Sequence, residues 1–396
     1  MFRRNFLKAS TLLGAGALAS EALFSTPAVA QEPVAPSKQP KPFAPPYGPA
    51  SARGSVAEVY QKARQALYPI CRVCPQCDGV VCAGEYPGIG GVWSGASFQN
   101  NYKAMRDVKL KLRVLHALSS RDKKPDTSTV IFGQKLALPA MAAPIGGPGG
   151  NFQGLLPDAE YFDRVIGGCV DAGTVGSIGD GEQDSMALVK GRYEVIKRYQ
   201  GKAIAGIKPR PQQSLLQLVR LAEEAGAFMI TIDTDAAGRY GRSNPEIALE
   251  TKPVAKLREI VRATKIPVVI KGIMEPDQAL LAGEAGAAGI CVSNHGGRIL
   301  DHTPGTAEVL PAIVEKVKGK MVILVDGSVA YGDDVLKYVA LGADAVLVGR
   351  HIIRAAYGAG RPGVALLMKT MRDELEANMV LTGVPDVRSI NRQVLA

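Results

Sequence analysis

The 396-residue chain is poor in several residue types that mark particular functions. It has one tryptophan, and aromatic residues make up only 6% of it. Its lysines and arginines are scattered, as in Lys316-Val317-Lys318, with no long basic run interleaved with aromatics. That excludes the usual pattern for tracking a nucleic-acid backbone, and the net charge of +10 reads instead as solvated helix faces. No apolar run near the start reaches the roughly 20 residues that span a bilayer; the most membrane-like stretch covers only residues 9–19. Histidine is scarce, with four in all, so one that falls inside a motif is informative: His295 does, whereas His116, His302 and His351 do not. No second region with its own core is apparent. A composition of 46% hydrophobic and 21% charged residues is ordinary for a globular protein. The length suits one barrel of about 250 residues with additions.

The start of the chain reads as a targeting segment. Arg3-Arg4-Asn5-Phe6-Leu7-Lys8 precedes the short apolar stretch, and Ala28-Val29-Ala30 supplies a small-x-small cleavage pattern. The expectation is a twin-arginine (Tat) export signal over 1–30, a bacterial periplasmic location, and no transmembrane anchor after cleavage. Residues 31–52 hold prolines at 33, 36, 40, 42, 45, 46 and 49, which predicts an extended linker. The next segment, 53–103, begins with a helix expected over 55–67, with Ser55 as its cap. It continues with Cys71, Cys74, Cys77 and Cys82 in the spacing C-x2-C-x2-C-x4-C. Three readings of these thiols stay open: an iron–sulfur cluster, a zinc site or two disulfides. Cys169 and Cys291 are expected to be buried and inert.

From 104 to 396 the pattern alternates between strand and helix. Eight apolar runs fall at 136–143, 173–178, 202–207, 228–233, 267–273, 289–294, 321–326 and 345–349. Between them, residues such as Leu215, Leu218, Val219 and Ala222, or Val335, Leu336, Val339 and Ala340, recur at helical spacing. Asp333 and Asp334 sit in a first turn, where the helix dipole favours them. Eight repeats predict an α/β fold, a (β/α)8 TIM barrel with an N-terminal cysteine-containing extension.

Four of the runs end in polar or glycine residues, as buried parallel strands do where they open into a site. They are Val269-Ile270-Lys271-Gly272-Ile273, then Cys291-Val292 leading into Ser293-Asn294-His295-Gly296-Gly297-Arg298-Ile299-Leu300-Asp301, then Val325-Asp326-Gly327-Ser328, and Val348-Gly349-Arg350. A neutral imidazole at His295 suits a general base. A planar guanidinium at Arg298 can hold a carboxylate by two parallel bonds. Gly327 and Gly349 let backbone N–H groups approach an anion, and Arg350 adds fixed charge. Together these parts suit a phosphorylated cofactor with a proton-transfer site beside it.

These blocks resemble the FMN-dependent α-hydroxy acid dehydrogenases and oxidases, the glycolate oxidase and lactate oxidase family. The family pattern S-N-H-G-[GA]-R-x-L-D is met in full over 293–301, in register with Lys271, Asp326 and Arg350. The resemblance is strong over 203–396, weaker over 104–202 and poor before that. It implies oxidation of a small 2-hydroxy acid or related anion to the 2-oxo acid, with FMN accepting hydride. It implies His295 as base, Asp233 as the carboxylate orienting it, and Arg298 as the substrate contact. Lys271 would face the flavin, Pro144, Ile145 and Gly146 would line its ring, and Thr231 and Ser293 would touch it. Asp326, Gly327, Ser328, Gly349 and Arg350 would cradle its phosphate side. A homo-oligomer is expected, with oxygen or a periplasmic carrier as electron acceptor. A flavin-dependent isomerase and a flavin-binding protein with lost catalysis are the competing readings.

The chain also departs from the family. Ala330 stands where an arginine is usual, and Ala205-Gly206-Ile207-Lys208-Pro209 replaces a strand end bearing glutamine and tyrosine. Tyr240 takes the place of a second carboxylate-binding arginine, with Arg239 and Arg242 near it. Gly179 falls near a usual serine, Tyr86 is a candidate for an N-terminal tyrosine, and the segment between Asp233 and Lys271 is short. The cofactor machinery is thus kept while the substrate pocket is rebuilt, with Lys208 and Arg210 as candidate replacement anion contacts.

Overall fold

The computed structural model describes residues 52–85, 88–146, 148–181, 184–238 and 248–396. The export signal, all but the last residue of the linker, and Tyr86, Arg239, Tyr240 and Arg242 lie outside the described residues.

Eight strands form one parallel sheet: β1 (Ala140–Ala142), β2 (Gly176–Gly179), β3 (Ala203–Ile207), β4 (Met229–Asp233), β5 (Val268–Ile273), β6 (Gly289–Val292), β7 (Val322–Val325) and β8 (Ala345–Val348). Each strand pairs with the next from β2 through β8, and β8 returns to β1. The seam between β1 and β2 is drawn together by the Ala142 N–H donating to Val175 O at 3.1 Å. This is the expected (β/α)8 barrel.

Side-chain alternation divides the core in two. Met141, Ile204, Met229, Val269, Cys291, Leu324 and Leu347 point inward and fill the lumen. Their neighbours, such as Ile230, Ile270, Ile290, Ile323 and Val346, point outward against the helices.

The longer helices are α1 (Ala52–Leu67), α2 (Ala96–Asp107), α3 (Asp158–Asp171), α4 (Met186–Lys197), α5 (Gln212–Glu224), α6 (Val254–Arg262), α7 (Pro276–Glu284), α8 (Thr306–Val317), α9 (Gly332–Ala340) and α10 (Arg350–Thr382). In α5, Leu215, Leu218, Val219 and Ala222 form the buried face that their spacing predicts. Asp334 closes a capping box at the start of α9. α10 is broken at Ala359 and Gly360, just before Pro362, whose ring and missing N–H interrupt the helical ladder. Among the described residues no helix is long and apolar enough to cross a membrane.

Two local expectations are corrected. Ser55 lies inside α1 rather than capping it, because the helix begins at Ala52. The run 136–143 is not one strand, because Pro139 interrupts it. Leu136 ends a hairpin, Thr129–Ile131 with Gln134–Leu136, and only Ala140–Ala142 joins the barrel. Phe132 and Gly133 turn that hairpin, both at positive φ (45° and 80°), as a two-residue turn requires. Ile131 and Leu136 are buried in the lumen cluster, so the hairpin stoppers the N-terminal mouth.

Candidate active site at the C-terminal mouth of the barrel

A cavity of about 400 Å³ opens where β5, β6, β7 and β8 end. Its lining includes Lys271, His295, Arg298, Asp326, Gly327, Ser328, Gly349 and Arg350, with Pro144, Ile145 and Gly146 after β1. Of the other residues singled out from sequence, Thr231, Asp233 and Ser293 are buried beneath it.

His295 sits in a left-handed stretch. Its φ is 59°, and Gly296 and Gly297 follow at 64° and 73°. Glycine is required after it, since a Cβ at Gly297 would meet Phe98 N at 2.3 Å. The His295 N–H donates to Ser293 Oγ at 2.9 Å. Its Nδ1 lies 3.0 and 3.1 Å from the two oxygens of Asp235. A carboxylate there keeps the proton on Nδ1 and leaves the lone pair on Nε2. Nε2 in turn lies 3.4 Å from Lys208 Nζ, and both residues line the cavity.

The histidine's carboxylate is therefore Asp235, a correction to the assignment of Asp233. The physical reason is Lys208, just past the end of β3, which ion-pairs with Asp233 Oδ2 at 2.7 Å and so engages that carboxylate. Asp235 comes two residues later, on the 3-10 turn Thr234–Gly238. Gly272, at φ +99°, makes room for it, because a Cβ there would meet Asp235 Cβ at 2.6 Å.

The electrostatics follow from this crowding. Burial pushes the Asp235 carboxyl up to about 7, with Lys271 opposing and Asp233 reinforcing the shift. Burial alone would pull the Lys271 ammonium down. Asp326, Asp233 and Asp235 outweigh it and hold the group above the ordinary lysine value. Lys271 Nζ donates to Ser293 Oγ at 3.0 Å and lies 3.4 Å from Asp326 Oδ2. A fixed positive charge thus persists in the cavity wall.

The anion end lies at the β7 and β8 loops. Gly327 has φ +114° and Ser328 has φ 53°. Ser328 Oγ, Asp326 Oδ1 and Thr231 Oγ1 are buried without a hydrogen-bond partner among the described residues. Buried polar atoms are normally paired, so these orphans fit a ligand with a polar ring edge and an anionic tail, as FMN has. Burial pulls the Arg350 guanidinium down to about 10. Its Nε donates to the Ile89 carbonyl (2.8 Å) and its Nη2 to that of Gly296 (3.0 Å), and it stacks 3.6 Å over Phe98. Sequence reasoning missed Arg106. It lies on α2, far upstream, yet lines the cavity with Ala330 while paired to Asp334. The signal for it was indirect: the vacancy left by the missing arginine at 330.

Arg298 lines the cavity, with Nη1 on Gly88 O (2.5 Å) and Nη2 on Asn151 Oδ1 (2.9 Å). Arg210, a candidate anion contact, is instead consumed by Asp180 (2.7 Å) and the carbonyl of Asp184 (3.0 Å). His351, outside any motif, also lines the cavity and bonds Tyr60 Oη at 2.6 Å. Cys71, Cys74, Cys77 and Cys82 gather around a small second cavity, and all six cysteines are free thiols. Cys169 and Cys291 are fully buried, and burial raises both thiols.

Comparison with known proteins agrees with this geometry. A family model described as FMN-dependent dehydrogenase matches residues 88–253 and 247–396. A peroxisomal (S)-2-hydroxyacid oxidase of Arabidopsis thaliana is 30% identical over 341 residues, covering 76% of this chain and 89% of the relative. Glycolate oxidase of Spinacia oleracea is 30% identical, covering 68% and 80%. A crystal structure of mandelate oxidase with (S)-2-phenylpropionate superposes with a TM-score of 0.68 at 29% identity, covering 86% of this chain and 97% of that one.

Proposed function

The chain belongs to the FMN-dependent dehydrogenase family, and from that premise we propose that it oxidises a small 2-hydroxy acid to the 2-oxo acid, with His295 as general base. FMN, when bound, supplies the acceptor for the substrate's hydride. The observation that carries the assignment is His295 itself: its Nδ1 is held by Asp235, and the side chain lies in the cavity wall beside a cation.

In this reading Nε2 takes the substrate hydroxyl proton, and the Asp235 carboxylate steadies the imidazolium that forms. Lys208 and Arg298 hold the substrate carboxylate on either side of the base. Lys271 keeps a buried positive charge that offsets negative charge developing on the ring. Gly327, Ser328, Gly349 and Arg350 hold the phosphate, and Arg106 takes the part of the arginine missing at 330.

The test is anaerobic mixing of the purified protein with a panel of 2-hydroxy acids. Bleaching of the flavin by at least one of them is expected, and acid release should yield FMN. A colourless protein that refuses added FMN, or a flavin that no 2-hydroxy acid bleaches, would sink the proposal. The Arg3-Arg4 start and Ala28-Val29-Ala30 support export to a periplasm by the twin-arginine route. N-terminal sequencing of the exported protein should then begin at Gln31, and an intact Met1 on protein in that compartment would refute it. The reading includes a homo-oligomer that passes electrons to oxygen or to a periplasmic carrier. Light scattering and oxygen consumption during turnover check these points; a monomer would refute the first, and oxygen uptake at the full turnover rate would exclude the carrier.

A further inference from the structure

The loop between α1 and α2 carries four thiols that the oxidation of a hydroxy acid does not use. Cys71, Cys74, Cys77 and Cys82 line one cavity together with Arg350 and Arg354. None is in a disulfide. The four thiols border one shared space.

The charges around that space are unbalanced. Arg354 is 3% exposed, and its Nη2 donates to Cys77 Sγ at 3.0 Å, with Cys71 Sγ at 4.0 Å. Its Nε is buried with no hydrogen-bond partner. Its remaining contacts are the Cys74 carbonyl at 3.5 Å and the Tyr60 ring, and no carboxylate ion-pairs with it among the described residues. A guanidinium stays charged in a protein, and a buried charge needs a counter-charge. Neutral thiols do not provide one, and neither do two disulfides. Four thiolates around a metal–sulfide core carry net negative charge and do provide it.

We propose that Cys71, Cys74, Cys77 and Cys82 hold an iron–sulfur cluster, with Arg354 as its buried counter-cation. The location gives the cluster a role. Gln76, Cys77, Ile89, Phe98 and Arg350 line both this cavity and the large one at the barrel mouth, so the two sites share a wall. The cluster's electron role, unlike its existence, rests on the proposed function. Oxidation of one hydroxy acid releases two electrons and two protons. The reduced flavin gives up those electrons one at a time to the oxidised cluster. The cluster passes each to an external one-electron carrier, so that two carriers are reduced per substrate and the protons go to water.

The experiment starts with unmutated protein prepared anaerobically. Iron and acid-labile sulfide should be present in equal amounts, about two to four of each per chain. Stoichiometric zinc without sulfide would overturn the proposal, and so would metal-free protein with the four cysteines oxidised in pairs. Paramagnetic resonance then separates the two claims. Dithionite should produce a reduced-cluster signal, and a 2-hydroxy acid that bleaches the flavin should produce the same one. A signal with dithionite but none with such a substrate would overturn the electron route and leave the cluster standing. Arg354→Gln should lower the cluster's midpoint potential, because a nearby positive charge is lost. An unchanged potential would remove Arg354 as counter-cation.

Discussion

Replacing Asp235 by asparagine separates the two carboxylates near the base. When His295 takes a proton, a full ion pair forms with Asp235, whose oxygens lie 3.0 and 3.1 Å from Nδ1. Taken as unit charges about 4 Å apart at an effective dielectric near 20, they attract by about 4 kcal/mol. Solvent screens this little, since the two side chains are only 14% and 13% exposed. Asparagine still offers an oxygen to Nδ1, so the expected loss is about 2–4 kcal/mol, or roughly 30- to 1,000-fold in the rate of flavin reduction. Asp233→Asn instead frees Lys208 and should act chiefly on substrate affinity. The assay is anaerobic stopped-flow bleaching of the bound flavin across substrate concentration and pH. Burial pushes the Asp235 carboxyl up to about 7, so the group gains a proton, and stops supporting the imidazolium, as pH falls through neutrality. The rate should therefore show an acid limb near neutral pH that flattens in Asp235→Asn. Near-normal reduction in Asp235→Asn combined with a collapse in Asp233→Asn would refute the reasoning and return the role to Asp233.

Further substitutions probe the other parts of the site. His295→Gln should keep FMN and lose roughly three or more orders of magnitude in flavin reduction; near-normal turnover would remove it as base. Lys208→Met should raise KM about 10- to 100-fold, the worth of a charged hydrogen bond, with a smaller change in kcat; an unchanged KM shows that the substrate carboxylate lies elsewhere. Arg106→Gln should weaken FMN affinity by about tenfold or more, measured by titrating the apoprotein; unaltered affinity refutes its place at the phosphate.

The legible parts were those whose meaning is local. The segment 293–301 carries its own geometry, because the left-handed turn at His295 needs the glycines that follow it. The strand ends at Lys271, Asp326 and Gly349 were visible because apolar runs stop there. Asp235 was not legible: its role depends on Lys208 capturing Asp233 from a neighbouring strand, and on the space left by Gly272 on a third. Arg106 reaches the cavity from a helix more than two hundred residues before Ala330 in sequence, a distance no spacing rule bridges. The first strand was misjudged because an apolar run looks the same whether it crosses the barrel or folds beneath it, and Pro139 was the only mark of the break.

The hairpin beneath the barrel also determines traffic. With Ile131 and Leu136 seated in a lumen already filled by Met141, Leu324 and Leu347, one end of the barrel is stoppered by hydrocarbon. Substrate, product and the departing proton must then share the remaining doorway, at the mouth where His295 and Arg298 stand. Arrival and departure become successive events at one threshold, and a product slow to leave would block its own replacement.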